Sequence, residues 1–165
     1  MTIDLRRLST LLRSITPAEI EDLADSMSST QYDSKKWLVE MLNASASFYP
    51  KNPTVTVLGS WYGSYLVPFL DHISPSEIIL NDINPRVLEI ARPLHGNKIK
   101  QSCFDVNKAP EHVAMYESDI LINTSCEHMN DMKNIWTGNP NTFYVFQSCD
   151  KGSDPGHVNP CSSTQ

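Results

Sequence analysis

The stretch Thr54-Val-Thr-Val-Leu-Gly-Ser-Trp-Tyr-Gly63 decides how the rest of the chain is read. Thr54 to Val57 are all β-branched, which suits a buried strand. Gly59 closes that run, and Gly63 opens an apolar segment, Tyr65-Leu66-Val67 with Phe69-Leu70, that reads as helical. Strand, glycine turn and helix start, in that order, form the first half of a nucleotide-binding βαβ unit. Glycine is expected in the turn because a Cβ would block the approach of a ligand to the backbone. Asp82 stands 23 residues after Gly59, at the end of the apolar run Ile78-Ile79-Leu80. An acid about 20 residues on is the usual acceptor for ribose hydroxyls in such units.

Working outward, the pattern alternates. Upstream, Leu5, Leu8, Leu11, Leu12 and Ile15 repeat at helical spacing over residues 3 to 15. Thr16-Pro17-Ala18-Glu19 has the form of a capping box with proline in the first turn, and Ile20, Leu23, Ala24 and Met27 continue that helix. Ser28-Ser29-Thr30 breaks it. Asp33 or Ser34 then caps a third helix, with Trp37, Leu38, Met41 and Leu42 expected inward and Lys35 and Lys36 in its first turn, solvated or, as the alternative, facing an anionic ligand. Downstream of the first strand, a helix is expected from about Ser64 to His72, interrupted by Pro68. A strand over Glu77 to Leu80 follows, then a helix opened by Asn84-Pro85 and stopped by Pro93. Further strands are expected at Lys98 to Phe104, Ile120 to Ile122 and Thr142 to Phe146, with a short helix from His128 to Trp136 before the last.

This alternation predicts an α/β, Rossmann-like, doubly wound sheet of about five mostly parallel strands, with helices on both faces and an N-terminal helical extension. The domain boundaries read as 1–50 for a helical cap, 51–150 for the cofactor-binding unit and 151–165 for an irregular Gly, Pro and Ser-rich tail. At 165 residues the chain has room for one core. Its net charge of -6 gives no electrostatic footprint for bulk nucleic-acid binding, and no apolar run approaches a membrane span. Cys103, Cys126, Cys149 and Cys161 are scattered, without Cys-x-x-Cys spacing, so reduced thiols, a cytoplasmic protein and no metal site are expected.

Ligands of open α/β sheets bind at the carboxyl ends of the strands. Those ends carry Gly59 to Gly63, Asp82, Cys103-Phe104-Asp105, Asn123-Thr-Ser-Cys-Glu-His128 and Gln147-Ser-Cys149. This rim is far more polar than the strands feeding it.

At these residues the sequence resembles the class I S-adenosylmethionine-dependent methyltransferases. Gly59 and Gly63 match the outer glycines of the family's first motif, while Val57 stands at its acidic position and Trp61 at its middle glycine. Asp82, in Leu80-Asn-Asp-Ile-Asn-Pro85, matches the second motif, Asp105 the third and Asn123 the fourth. The run Asp119-Ile-Leu-Ile-Asn-Thr-Ser-Cys-Glu-His-Met129, with Trp136 beyond it, is similar to a branch of methyltransferases of uncharacterised substrate.

The resemblance implies S-adenosyl-L-methionine as cofactor, held by Gly59, Trp61, Gly63, Asp82, Asp105 and Asn123, with Asp82 on the ribose. It further implies methyl transfer to a small acceptor, with Glu127 or His128 as base and Asn123 orienting the acceptor. The family's domain ordinarily continues past the fifth strand with a helix and two more strands. Their absence before Gln165 marks either a naturally minimal version or a truncated chain, and would leave an open edge through which two chains can pair. A non-catalytic cofactor-binding or interaction module is the alternative. A nicotinamide oxidoreductase is weaker, because residues 59, 61 and 64 are Gly, Trp and Ser where that class has three glycines.

Overall fold

The computed structural model describes residues 5–108, 117–129 and 139–148. In chain order they form α1 (Leu5–Leu12), α2 (Pro17–Asp25), α3 (Ser29–Ala44), β1 (Thr54–Leu58), α4 (Leu66–Leu70), β2 (Glu77–Asp82), α5 (Pro85–His95), β3 (Ile99–Cys103), β4 (Ile120–Asn123) and β5 (Phe143–Phe146). The five strands are all parallel, in the order β3-β2-β1-β4-β5. That is the doubly wound sheet expected from the sequence. β1 lies at its centre, paired with β2 on one side and β4 on the other, so the chain reverses its direction of winding there. The carboxyl ends of β1 and β4 are consequently the place where a crevice opens.

The period-2 pattern sorts the strand residues onto two faces. Val55, Val57, Ile78, Leu80, Ile120 and Ile122 point to one face, where Leu38, Val39 and Leu42 of α3, Leu66, Val67 and Leu70 of α4, and Leu88 and Ala91 of α5 cover them. On the other face Leu58 and Leu121 pack with Val106 and Met129. Residues 109–116 and 130–138 lie outside the described residues, as do most of the helix expected from His128 to Trp136, Cys149, Cys161 and the tail. The helix expected from His128 does not begin there. Cys126–His128 forms a 3-10 turn and Met129 is extended.

α1 and α2 build a second small core. Leu11, Ile15 and Leu23 pack with Tyr62, Val87 and Ile90, so the N-terminal helices sit against both α5 and the turn after β1. The capping box forms as read: Thr16 N–H donates to Glu19 Oε2 at 2.6 Å, and Glu19 N–H to Thr16 Oγ1 at 3.3 Å. Arg86 reaches across from α5 to Glu19 at 2.6 Å and holds its carboxyl at about 2, far below the usual range.

Three expectations about helices are corrected. α3 is capped by Ser28, not by Asp33 or Ser34, so Lys35 lies within the helix instead of in its first turn. Its buried face is Leu38, Val39 and Leu42, while Trp37 and Met41 are 52% and 45% exposed. α5 runs through Pro93 to His95. The lost N–H would have met the Glu89 carbonyl, on the solvent side of the helix, where water substitutes. The helix after Gly63 is confined to Leu66–Leu70, with Pro68 in its first turn, where no intrahelical N–H is needed. Among the described residues no helix is long and apolar enough to cross a membrane.

Candidate functional site

The turn after β1 is built on three residues with positive φ: Gly59 at 58°, Trp61 at 48° and Gly63 at 62°. The glycines are required by packing as well as by φ. A Cβ on Gly59 would lie 2.7 Å from Ser125 Cβ, and one on Gly63 would lie 3.0 Å from Val67 Cγ2. The close approach that needs glycine at position 59 is therefore that of the turn after β4, not only that of a ligand. Ser125 Oγ donates to the Gly59 carbonyl at 3.0 Å and fixes this contact.

Trp61 holds a left-handed conformation that costs an L-residue roughly 1–2 kcal/mol, and several bonds enforce it. Its N–H donates to Asp82 Oδ2 at 2.9 Å, and its Nε1–H to Asp22 Oδ2 at 3.1 Å. Tyr62 OH donates to the same Asp22 oxygen at 2.6 Å, and His95 Nε2 lies 2.8 Å from the Tyr62 carbonyl. Burial keeps His95 below its ordinary pKa. Ser26 Oγ spends its proton on the Leu23 carbonyl, so in the 2.7 Å contact between Ser26 and Ser64 it is Ser64 that donates. α2 thus clamps the glycine turn from outside.

Asp82 closes β2 and lies directly against this turn. One oxygen takes the Trp61 N–H, and the other takes the Asn84 N–H at 3.0 Å. A carboxylate has about four acceptor sites, so the two bonds orient Asp82 and leave acceptor capacity on each oxygen. A cavity of about 500 Å³ opens here, lined on one side by Gly59, Ser60, Trp61, Gly63, Asp82 and Ile83. Phe104 and Asp105 line it beyond β3, and Asp105 Oδ1 also accepts the Asn107 N–H at 2.9 Å in a turn.

The rest of the lining is Ser26, Gln31 and Lys35 from the N-terminal helices and Thr124, Ser125, Glu127, His128 and Met129 after β4. Glu127 is only 13% exposed, and its Oε2 is buried with no hydrogen-bond partner among the described residues. His128 Nε2 is 4.0 Å from Glu127 Oε1. Lys35 donates to Gln147 Oε1 at 3.1 Å, and Gln147 Nε2 donates to the Ser34 carbonyl at 3.2 Å, which ties α3 to the end of β5. Burial pushes the Lys35 ammonium down to about 8, partly offset by the charge of Glu127.

Of the residues singled out in the sequence, Gly59, Trp61, Gly63, Asp82, Asp105, Glu127 and His128 share this one cavity. Asn123 does not line it. Its side chain is buried, accepts the Ser125 N–H at 2.9 Å and contacts Met129 Sδ at 3.0 Å, so it shapes the turn that carries Glu127. Sequence reasoning gave Lys35 a ligand-facing role only as an alternative, because it starts α3 five or six residues late. It missed Gln31 and Ser26, for which no sequence signal exists apart from helical position. Among the described residues no group of three His, Cys, Asp or Glu side chains could hold a metal ion.

An all-parallel sheet in this order, with a glycine turn after its central strand and an acid at the tip of the next, is the class I S-adenosylmethionine-dependent methyltransferase fold. The comparisons agree. An S-adenosylmethionine-dependent methyltransferase from Clostridium acetobutylicum superposes with a TM-score of 0.58 at 13% identity, covering 81% of this chain and 58% of that one. A mutant of MtNAS in complex with S-adenosylmethionine gives 0.55 at 11% identity, covering 88% and 55%. An S-adenosylmethionine-dependent methyltransferase from Mesorhizobium loti gives 0.50 at 14% identity, covering 66% and 53%. No family model and no curated protein matches the sequence. At such identities the likeness is one of fold, and the chain spans about half the length of these structures.

Proposed function

We propose that the chain binds S-adenosylmethionine in this cavity and transfers its methyl group to a small acceptor. The observation that carries the reading is Asp82, held against the glycine turn by two backbone N–H groups with acceptor capacity to spare. A vicinal diol supplies two O–H donors and suits such a carboxylate. Phe104 and Ile83 offer apolar surface for a base on the β3 side of Asp82. Trp61 and Asp105 complete that end in this reading, and Ser60, Gly63 and Thr124 border the middle of the cavity. Neighbours of the same fold that are named for this cofactor support the choice over a nicotinamide.

Bound there, the cofactor would supply a methyl group already activated on a sulfonium. The chain's own task is to position the acceptor and accept its proton where the acceptor carries one. Glu127 lines the cavity, and His128 lies beside it, so either can take that proton. Asn123 acts in this scheme as a positioning residue, through the turn that presents Glu127.

The test is calorimetric titration with S-adenosylmethionine, S-adenosylhomocysteine and NAD, followed by incubation of the protein with a metabolite extract and methyl-labelled cofactor. Binding of the first two and not of NAD, with label appearing in a small molecule, is the expected result. Binding without label transfer would leave the non-catalytic module, and binding of NAD alone would remove both.

A further inference from the structure

The end of the cavity beyond Asp82 carries two opposite charges that the protein does not pair with each other. Glu127 comes from the turn after β4 and Lys35 from the middle of α3, and both line the cavity. They are near enough for the carboxylate to act on the ammonium. Yet Glu127 Oε2 has no hydrogen-bond partner among the described residues, so a gap remains between them. Lys35 has three N–H donors, of which Gln147 accepts one. A buried carboxylate oxygen without a donor is costly to leave, and a desolvated ammonium is similarly under-served. Direct contact between the two would have relieved both. The fold instead holds Lys35 back, through Gln147 and the Ser34 carbonyl, at the tip of β5.

We propose that Lys35 and Glu127 form a two-pole subsite for an amino-acid-type zwitterion, with the Glu127 carboxylate taking the ammonium and Lys35 Nζ the carboxylate. A ligand with only one pole would leave the other protein charge unserved. The inference rests on the cofactor reading above only for what else occupies the cavity. Such a zwitterion has two sources: an amino-acid acceptor, or the amino-acid end of the cofactor. The placement leans toward the acceptor. Lys35 bonds at the tip of β5, two strands from β1, which is roughly 10 Å at ordinary strand spacing.

The experiment compares wild type with Lys35→Met and Glu127→Gln, each close in shape to the native residue. S-adenosylhomocysteine is titrated against 5′-methylthioadenosine, which lacks the amino-acid end. The twenty standard amino acids are then screened by saturation-transfer NMR, with and without S-adenosylhomocysteine. Each hit is checked against its decarboxylated amine and its deaminated acid.

If the acceptor is the source, a free amino acid gives a signal with wild type that its one-pole analogues do not give, and both variants lose it. If the cofactor is the source, both variants bind S-adenosylhomocysteine about 10- to 100-fold more weakly and bind 5′-methylthioadenosine unchanged. Equal wild-type affinities for S-adenosylhomocysteine and 5′-methylthioadenosine together with no amino-acid signal, or signals equal for the one-pole analogues, would overturn the proposal. Those wild-type comparisons decide even if a variant fails to fold. Failure of wild type to bind either nucleoside would instead strike the cofactor reading, and the screen run without nucleoside would still judge the subsite.

Discussion

The two ends of the cavity differ in how completely the protein satisfies its own groups. At the β1–β2 end, backbone and side chains are paired with one another. Trp61 N–H meets Asp82, Trp61 Nε1–H and Tyr62 OH meet Asp22, and the Gly59 carbonyl meets Ser125. At the β4–β5 end, Glu127 keeps a buried oxygen without a hydrogen-bond partner among the described residues, and Lys35 is desolvated well below its ordinary pKa. The first end is held rigid by bonds that also hold the fold. The second leaves charge for a ligand to meet. Strain and missing partners concentrate where function requires them.

Substitutions should separate the two ends. The largest effect is expected at Gly59, where alanine adds left-handed strain and a Cβ 2.7 Å from Ser125 Cβ. Gly59→Ala should cost about 2–5 kcal/mol of stability in urea unfolding; a loss below 0.5 kcal/mol, well under that roughly 2–5 range, would mean the two turns can part freely. Next, Asp22→Ala removes the shared acceptor of Trp61 and Tyr62 at an exposed position, and a loss of about 1 kcal/mol is expected. Glu127→Gln, by contrast, should change stability by no more than about 0.5 kcal/mol, since its buried carboxylate oxygen has no partner among the described residues to lose. A large destabilisation would show that Glu127 serves the fold after all.

A further test concerns pH. Lys35 titrates near 8 in the folded chain against an ordinary 10.5, so between those values the unfolded chain binds more protons. Stability conferred through this group therefore rises with pH across that window. The penalty for burying the charged ammonium is complete below about 8 and fades toward 10.5. Unfolding free energies of wild type minus Lys35→Met, followed from pH 7 to about 10.5, should rise. A flat difference would place Lys35 in solvent.

Much of this architecture was legible because its signals are local. A run of β-branched residues before Gly59, Asp82 at the tip of the next apolar run, and Thr16-Pro17-Ala18-Glu19 each carry their structural meaning within a few positions. The glycine turn and Asp82 were found for that reason. What stayed hidden depends on packing between distant segments. Ser28, Asp33 and Ser34 are all competent caps, and only the docking of Leu38, Val39 and Leu42 on the sheet selects Ser28 and turns Lys35 toward the cavity. Asn123 sits at the expected strand tip, but its side chain is spent on Ser125 and Met129. Pro93 looked like a stop because its cost depends on which side of the helix faces water.

The most direct measurement is titration of S-adenosylhomocysteine into wild type and Asp82→Ala by calorimetry. If the carboxylate grips the ribose, wild type binds and the variant loses about 1.5–3 kcal/mol, roughly a 10- to 150-fold weakening. Equal affinity in the two proteins would contradict the account.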